Sequence, residues 1–273
     1  MKKRLLISIG VVLAVILTSC NNEKNDIKVD FDSINIVKDF DAENSEGNII
    51  GKANIKIDYT YPKSFSGKTT KETESNLQEL TNIFNEIVLG DNSVYSAQEA
   101  VDNYIDNYYE HFISLIKDIT SEVEVDNIIN FSHSITDTVN VVNDTILTIN
   151  LFVDNYEGGA HPVYVIYYKN INLKTLSYIN EEDVFVEGYK EKLTEIIKKK
   201  LLETSFKEYR NDETTEEDIK GYFFDFDKIV PNNNFIILSD GIKYLYNFYE
   251  IAPYAAGVFE VYIPNSEIEG ILK

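Results

Sequence analysis

The chain is short of several things that would otherwise define it: one cysteine, one methionine, no tryptophan, five prolines and three histidines in 273 residues. A single thiol can form no internal disulfide, so stability has to come from an ordinary apolar core, and 44% hydrophobic residues are enough for one. No histidine or cysteine stands at metal-ligand spacing, and there is neither a His-Glu-x-x-His helix nor a Gly-x-Ser-x-Gly elbow. No metal and no cofactor is expected. Arginine occurs only at positions 4 and 210, and 25 cations face 46 acids for a net charge of -21. Such a surface repels phosphate backbones, which excludes a nucleic-acid partner, and attracts cationic proteins.

Long apolar runs are scarce as well, and the one that exists is N-terminal. MKKRLLISIGVVLAVILTSC has three cations, an apolar run from Leu5 to Leu17, and the lone cysteine. The run is short for a membrane span of about 20 residues and reads as a signal peptide over residues 1–19. Leu17-Thr18-Ser19-Cys20 resembles a bacterial lipobox, which implies acylation of Cys20 and attachment to the membrane through that lipid. Loss of Lys2, Lys3 and Arg4 leaves 22 cations against 46 acids, near -24. Asn21-Asn22 lacks the aspartate associated with inner-membrane retention, which points to the outer membrane of the cell envelope. Residues 20–48 are polar and acidic and read as lipid anchor and tether.

From Ile49 the pattern changes. Ala53, Ile55, Ile57 and Tyr59 alternate with polar neighbours as in a half-buried strand closed by Pro62. Leu77, Leu80, Phe84, Ile87 and Val88 recur at helical spacing up to Gly90. Ser96-Ala97-Gln98-Glu99 forms a capping box ahead of the apolar stripe Ala97, Val101, Tyr104, Ile105, Tyr108, Phe112, Leu115 and Ile116, with His111 as an edge contact. Three strand-like segments over 127–178 read as an antiparallel meander, His133 lying on its solvent face. A helix follows around Tyr189 to Lys207 with Leu193, Ile196, Ile197 and Leu201 inward, then a solvated loop or helix start at Asn211–Asp218. A hairpin turning at Ser239-Asp240-Gly241 and a last strand, VFEVYIP, end the chain. This order gives an α+β fold, an antiparallel sheet with helices packed on one face, with an N-terminal half at 49–155 and a C-terminal half at 156–273.

The stretch NYEGGAHPVY places His161 behind two glycines that tolerate positive φ and ahead of a proline that interrupts a strand ladder. It reads as a wide connection or bulge with His161 at an exposed sheet end. YEIAPYAAG reads as an ordered loop packed by Tyr249 and Tyr254. A binding groove with both stretches as lips would use Tyr156, Gly158, Gly159, His161, Tyr249, Pro253 and Tyr254. The abundance of tyrosine is what an AT-rich genome produces, so it does not by itself mark a carbohydrate-binding surface.

Tyr156-Glu157-Gly158-Gly159-Ala160-His161, Asn172-Leu173-Lys174-Thr175, Glu182-Asp183-Val184-Phe185, the Tyr249–Gly257 loop and Glu260-Val261-Tyr262-Ile263-Pro264 resemble, in order, the motifs of an extracytoplasmic family of unknown function. It is the DUF 3298 type, with a DUF 4163-like partner matched loosely by residues 49–119. Leu176 stands where that pattern has glycine, so the turn there is expected to differ, and Asn172 replaces an aspartate. The pair is similar to the ectodomain of RsiV-type lysozyme-sensing anti-sigma factors and to the non-catalytic N-terminal region of PdaC-type deacetylases. The deacetylase metal motif and a cytoplasmic anti-sigma domain are both missing. The resemblance implies a non-enzymatic, lipid-anchored envelope protein that binds peptidoglycan glycan or a cationic protein such as lysozyme. The alternatives are an envelope glycan hydrolase using acidic residues, with His161 as proton carrier, and an assembly subunit.

Overall fold

The computed structural model describes residues 27–66, 70–91, 93, 96–122 and 128–273. The signal peptide, Cys20 and the residues just after it lie outside the described residues. The fold is α+β, with one six-stranded sheet whose strands lie in chain order and one three-stranded sheet, also in chain order.

The chain divides into two compact units. One holds the described residues up to Asp137 together with Phe152–Tyr164; the other holds Thr138–Leu151 and Val165–Lys273. The expected halves, 49–155 and 156–273, follow a different division. Strands of ten to thirteen residues carry the chain across the boundary, so one cut in the sequence cannot separate the units.

In the first unit, β1 (Val29–Glu43) and β2 (Ile49–Phe65) pair antiparallel along their length. The tether expected at 20–48 is therefore a strand over Val29–Glu43. Its acids had masked a period-two pattern: Ile34, Ile36, Phe40 and Ala42 share one face and pair with Tyr59, Ile57, Ala53 and Gly51. Nor does Pro62 end β2. It sits opposite Phe31 beside a register shift, past Asp58, where pairing with β3 stops, so its missing N–H breaks no ladder on that side.

Two helices cover the apolar face of this pair. Helix α1 (Thr70–Leu89) sets Phe84 against Phe31, with ring centroids 5.9 Å apart. Helix α2 (Ala97–Glu122) sets Tyr108 and Tyr109 against Phe40 at 6.3 and 5.1 Å. Its capping box forms as the sequence requires: Ser96 Oγ accepts from Glu99 N–H at 3.3 Å and Ser96 N–H donates to Glu99 Oε2 at 3.0 Å.

Strand β3 (Ile129–Val141) runs parallel to β2, so the sheet is mixed rather than purely antiparallel. The two helices supply the long crossover that parallel neighbours need. Strands β4 (Ile146–Tyr156) and β5 (Val163–Asn172) follow through connections too short for a parallel crossover, and β6 (Ser177–Tyr178) closes the sheet antiparallel to β5.

Between β5 and β6 the turn keeps the shape that glycine would give it. Leu176 takes φ +49, and Asn172 Oδ1 accepts from the N–H groups of Lys174 and Thr175 at 2.9 and 3.3 Å, a task for which Asn serves as well as Asp. A non-glycine residue in this conformation carries about 1 kcal/mol of left-handed strain.

The second unit centres on α4 and the small sheet. After α3 (Glu181–Val184), α4 (Tyr189–Thr204) buries Leu193, Ile196, Ile197 and Leu201 against β8 (Gly241–Tyr246) and β9 (Phe259–Pro264), which pair antiparallel beside β7 (Phe235–Ile237). Helix α5 (Glu216–Lys220) starts in the acidic stretch, Thr215 Oγ1 accepting from Asp218 N–H at 3.2 Å, and α6 (Asn265–Ile268) follows β9. At the hairpin start, a Cβ on Gly241 would lie 2.4 Å from the Ile263 carbonyl oxygen, so only glycine fits there. Buried Glu181 holds the left-handed turn at Asn233: its Oε1 accepts from Asn233 N–H at 2.7 Å and its Oε2 from the Tyr189 hydroxyl at 2.8 Å.

Candidate functional site

Residues 157–162 connect β4 to β5 as an exposed bend. Gly158 and Gly159 take φ +93 and +92, the left-handed geometry their sequence allows. The Tyr156 hydroxyl donates to the Gly159 carbonyl at 3.1 Å, and His161 Nδ1 lies 3.1 Å from the Pro162 carbonyl, to which it donates. His161 sits at an exposed strand end, as its sequence context implies.

The residue that joins this loop to the rest of the first unit is Glu157. Its Oε1 accepts from Asn155 Nδ2 at 3.1 Å and lies 3.3 Å from Nε2 of His111, which is exposed and makes the edge contact expected of it. Asn155 Oδ1 in turn faces His133 Nδ1 at 3.2 Å, and His133 Nε2 lies 2.7 Å from the Tyr104 hydroxyl. Because Asn155 offers an oxygen to Nδ1, that nitrogen carries the proton and Nε2 accepts from Tyr104. The rings of Tyr104 and Tyr108 stack on His133 at 5.8 and 5.4 Å.

His133 is therefore buried, not on the solvent face. The period-two arithmetic required this, since Phe131, His133, Ile135 and Asp137 share one face of β3 and all four are buried. Burial pushes the His133 pKa down, against the opposing effects of Asn155, Glu157 and Asp154. It pushes both Tyr104 and Tyr108 up to about 12, so these phenols stay protonated at neutral pH. Asp137 is raised to about 6, chiefly by burial; its Oδ1 accepts from Thr60 N–H at 2.7 Å, while its buried Oδ2 has no hydrogen-bond partner among the described residues.

In the second unit the Tyr249 loop is ordered as a packed segment. Tyr249 takes φ +63 and is 56% exposed; Tyr254 stacks on Phe248 at 4.5 Å and lies 5.8 Å from Tyr249. Glu250 pins the loop by accepting from Asn247 N–H and from Asn232 Nδ2, and Pro253 opens the short 3-10 turn Tyr254–Ala256. The residues expected to share one groove thus fall in different units: Tyr156, Gly158, Gly159 and His161 in the first, Tyr249, Pro253 and Tyr254 in the second. Among the described residues no group of three His, Cys, Asp or Glu side chains is placed to hold a metal ion. None of their helices is long and apolar enough to cross a membrane.

A third feature, an exposed aromatic cluster in the second unit, has no counterpart in the residue pattern. Phe206 stacks on Tyr222 at 4.7 Å, and Tyr209 lies 5.8 Å from Tyr222. These rings are 16 residues apart in an irregular stretch with no periodicity to announce them.

Residues 182–266 match the profile of a protein family described as a protein of unknown function, DUF3298. Residues 182–266, within the second unit, are similar to a DUF3298 domain. The match takes in the Glu182–Phe185 motif and the Tyr249–Pro264 region but not the Gly158-Gly159 loop. Two solved structures share the fold. A DUF3298 family member from Bacteroides fragilis superposes with a TM-score of 0.73 at 24% identity, over 92% of this chain and 96% of its own. A DUF3298 family protein from Pseudomonas aeruginosa gives 0.59 at 16% identity, over 92% and 97%. No curated protein matches the chain.

Proposed function

We propose that the protein is a lipid-anchored component of the bacterial cell envelope, in the outer membrane, whose ectodomain binds an envelope ligand without transforming it. The ligand is peptidoglycan glycan or a cationic protein such as lysozyme. The observation that carries the reading is the combination of a lipobox-like Leu17-Thr18-Ser19-Cys20 with a folded region that leaves Tyr209, Tyr222, Phe224 and Tyr249 between 41% and 58% exposed. Covering the exposed half of one such ring is worth about 1 kcal/mol, and clustered exposed aromatics are what recognition surfaces present. The likeness of residues 49–119 to the DUF 4163-type partner, and of the whole to RsiV-type ectodomains and PdaC-type N-terminal regions, supports the same reading.

One observation favours the alternative of an acid-dependent hydrolase: the Asp137 pKa of about 6 suits proton transfer near neutrality. Its carboxyl oxygens face the interior, however, and Asp137 is only 8% exposed, so a glycan could not reach it without local opening.

The test is to mix the full chain in detergent with purified sacculi and, separately, with lysozyme, in salt that shortens the Debye length below about 8 Å, following co-sedimentation and fragment release. Retention without release is the expected result, and His161→Ala and Tyr254→Ala should weaken it. Released fragments that disappear with His161→Ala would replace the binding module with an enzyme, and wild-type binding by both variants would remove the Gly-Gly-Ala-His and Tyr249 loops from the site.

A further inference from the structure

We infer that the ligand-contacting surface includes a charge-neutral groove between α4 and α5, with Tyr209 and Tyr222 as its aromatic platform, and that it takes an uncharged amino-sugar glycan rather than a cationic protein. This rests on the envelope-binding reading above and chooses between its two ligand classes.

The groove encloses about 830 Å³, room for several sugar rings. Its charged lining is Lys198, Lys199 and Arg210 against Glu195, Glu203 and Glu216, so formal charge cancels locally in a chain that carries -21 overall. Each of these groups has a partner. Glu195 pairs with Lys192 at 3.0 Å, Lys199 with Glu203 at 3.8 Å and Glu216 with Lys220 at 2.9 Å. Lys198 donates to the Asp227 carbonyl at 2.6 Å. The Arg210 guanidinium is occupied by the last carbonyls of α4, Nε donating to Ser205 at 3.0 Å and Nη2 to Ser205 and Leu202. Among these lining residues an anion finds no uncommitted cation, and a cationic protein finds no excess of acids. Asn211, Thr214 and Thr215 add amide and hydroxyl groups to the wall, the kind that exchange hydrogen bonds with a polyol.

Tyr209 and Tyr222 stand beside the groove rather than in its lining, on the two chain segments that supply it. Tyr209 immediately precedes Arg210, and Tyr222 follows Ile219, its N–H donating to the Ile219 carbonyl at 3.2 Å. Tyr209 and Tyr222 are 57% and 41% exposed, yet both rings are held by Phe206, which keeps φ +54. A bulky residue in that conformation costs on the order of 1–3 kcal/mol, and here the strain orders two outward-facing phenols. The C–H face of a sugar ring packs on such a ring while the phenol hydroxyl stays at the rim.

The experiment uses the full chain in detergent, purified sacculi and a β-1,4-linked N-acetylglucosamine tetramer as probes. The expected result is that both are bound, that binding is unchanged between low and high salt, and that Tyr209→Ala with Tyr222→Ala lowers affinity at least tenfold with little change in melting temperature. Because the protein has no tryptophan, Tyr209→Trp supplies a lone indole whose emission should shift on adding the tetramer, which tests the site without removing the ring. If wild type binds sacculi while the alanine variants bind equally and the indole does not respond, the groove is wrong and the envelope-binding reading stands. If wild type binds lysozyme but neither glycan probe, the groove and the glycan ligand both fall. If nothing binds, the envelope-binding reading falls with them.

Discussion

The inner face of β3 and the α4–α5 groove both hold titratable groups with tyrosines close by, but water treats them oppositely. On β3, His133 and Asp137 are buried; the histidine is satisfied by Tyr104 and Asn155, while one Asp137 oxygen has no partner among the described residues. In the groove every charged lining residue has a partner, and Tyr209 and Tyr222, next to it along the chain, are exposed. The first region stores electrostatic cost inside a core. The second exposes apolar surface that a ligand can cover. The lesson is that residue type alone does not mark a site; what matters is whether its requirements are already met within the fold.

The sharpest way to break this comparison is Tyr104→Ala, which removes a stacked ring and leaves His133 Nε2 buried without its donor. We expect a loss of about 3 kcal/mol in urea unfolding; a loss below about 1 would mean that the His133 stack is not a structural unit.

Next comes Asp137→Asn, which keeps the acceptor for Thr60 N–H but removes the buried charge. The folded pKa of Asp137 is raised from 3.8 to about 6. Its favourable contribution is therefore complete below the unfolded value and is lost as pH rises through about 6. At pH 7 the variant should be more stable by about 2 kcal/mol, with the gain vanishing near pH 4. His133, whose pKa is lowered, has the opposite sign: its stability is present above the unfolded value near 6.5 and is lost as pH falls through the folded one. The variant should therefore lose stability on acidification more steeply than wild type, and parallel pH profiles for the two would contradict the Asp137 assignment.

A smaller effect is expected from Tyr108→Phe. The Tyr108 hydroxyl is buried with no hydrogen-bond partner among the described residues, so its removal should stabilise by about 1 kcal/mol; destabilisation in thermal melts would reveal a partner for it. The smallest effect is that of Tyr209→Ala on stability, within about 0.5 kcal/mol. Combined with a large loss of glycan binding, that would complete the contrast with Tyr104.

Much of this was legible in the residues. The Ser96–Glu99 box, the α4 stripe from Leu193 to Leu201 and the glycine bend before His161 are local patterns, and local patterns survive folding because neighbouring residues alone satisfy them. β1 is hard to read from sequence because five acids hide an alternating apolar face that is useful only once β2 lies beside it. The spacing of His133 from Phe131 and Ile135 points inward, against the solvent-face expectation.

The sequence by itself determined the acidic, disulfide-free α+β character of this chain and the left-handed glycine bend before His161. Only the tertiary structure decided which polar groups are paired. The Glu157–Asn155–His133–Tyr104 chain and the Phe206–Tyr209–Tyr222 cluster each join residues from separate elements, and hydrogen bonds and ring contacts depend on distances in space that no spacing along the chain encodes.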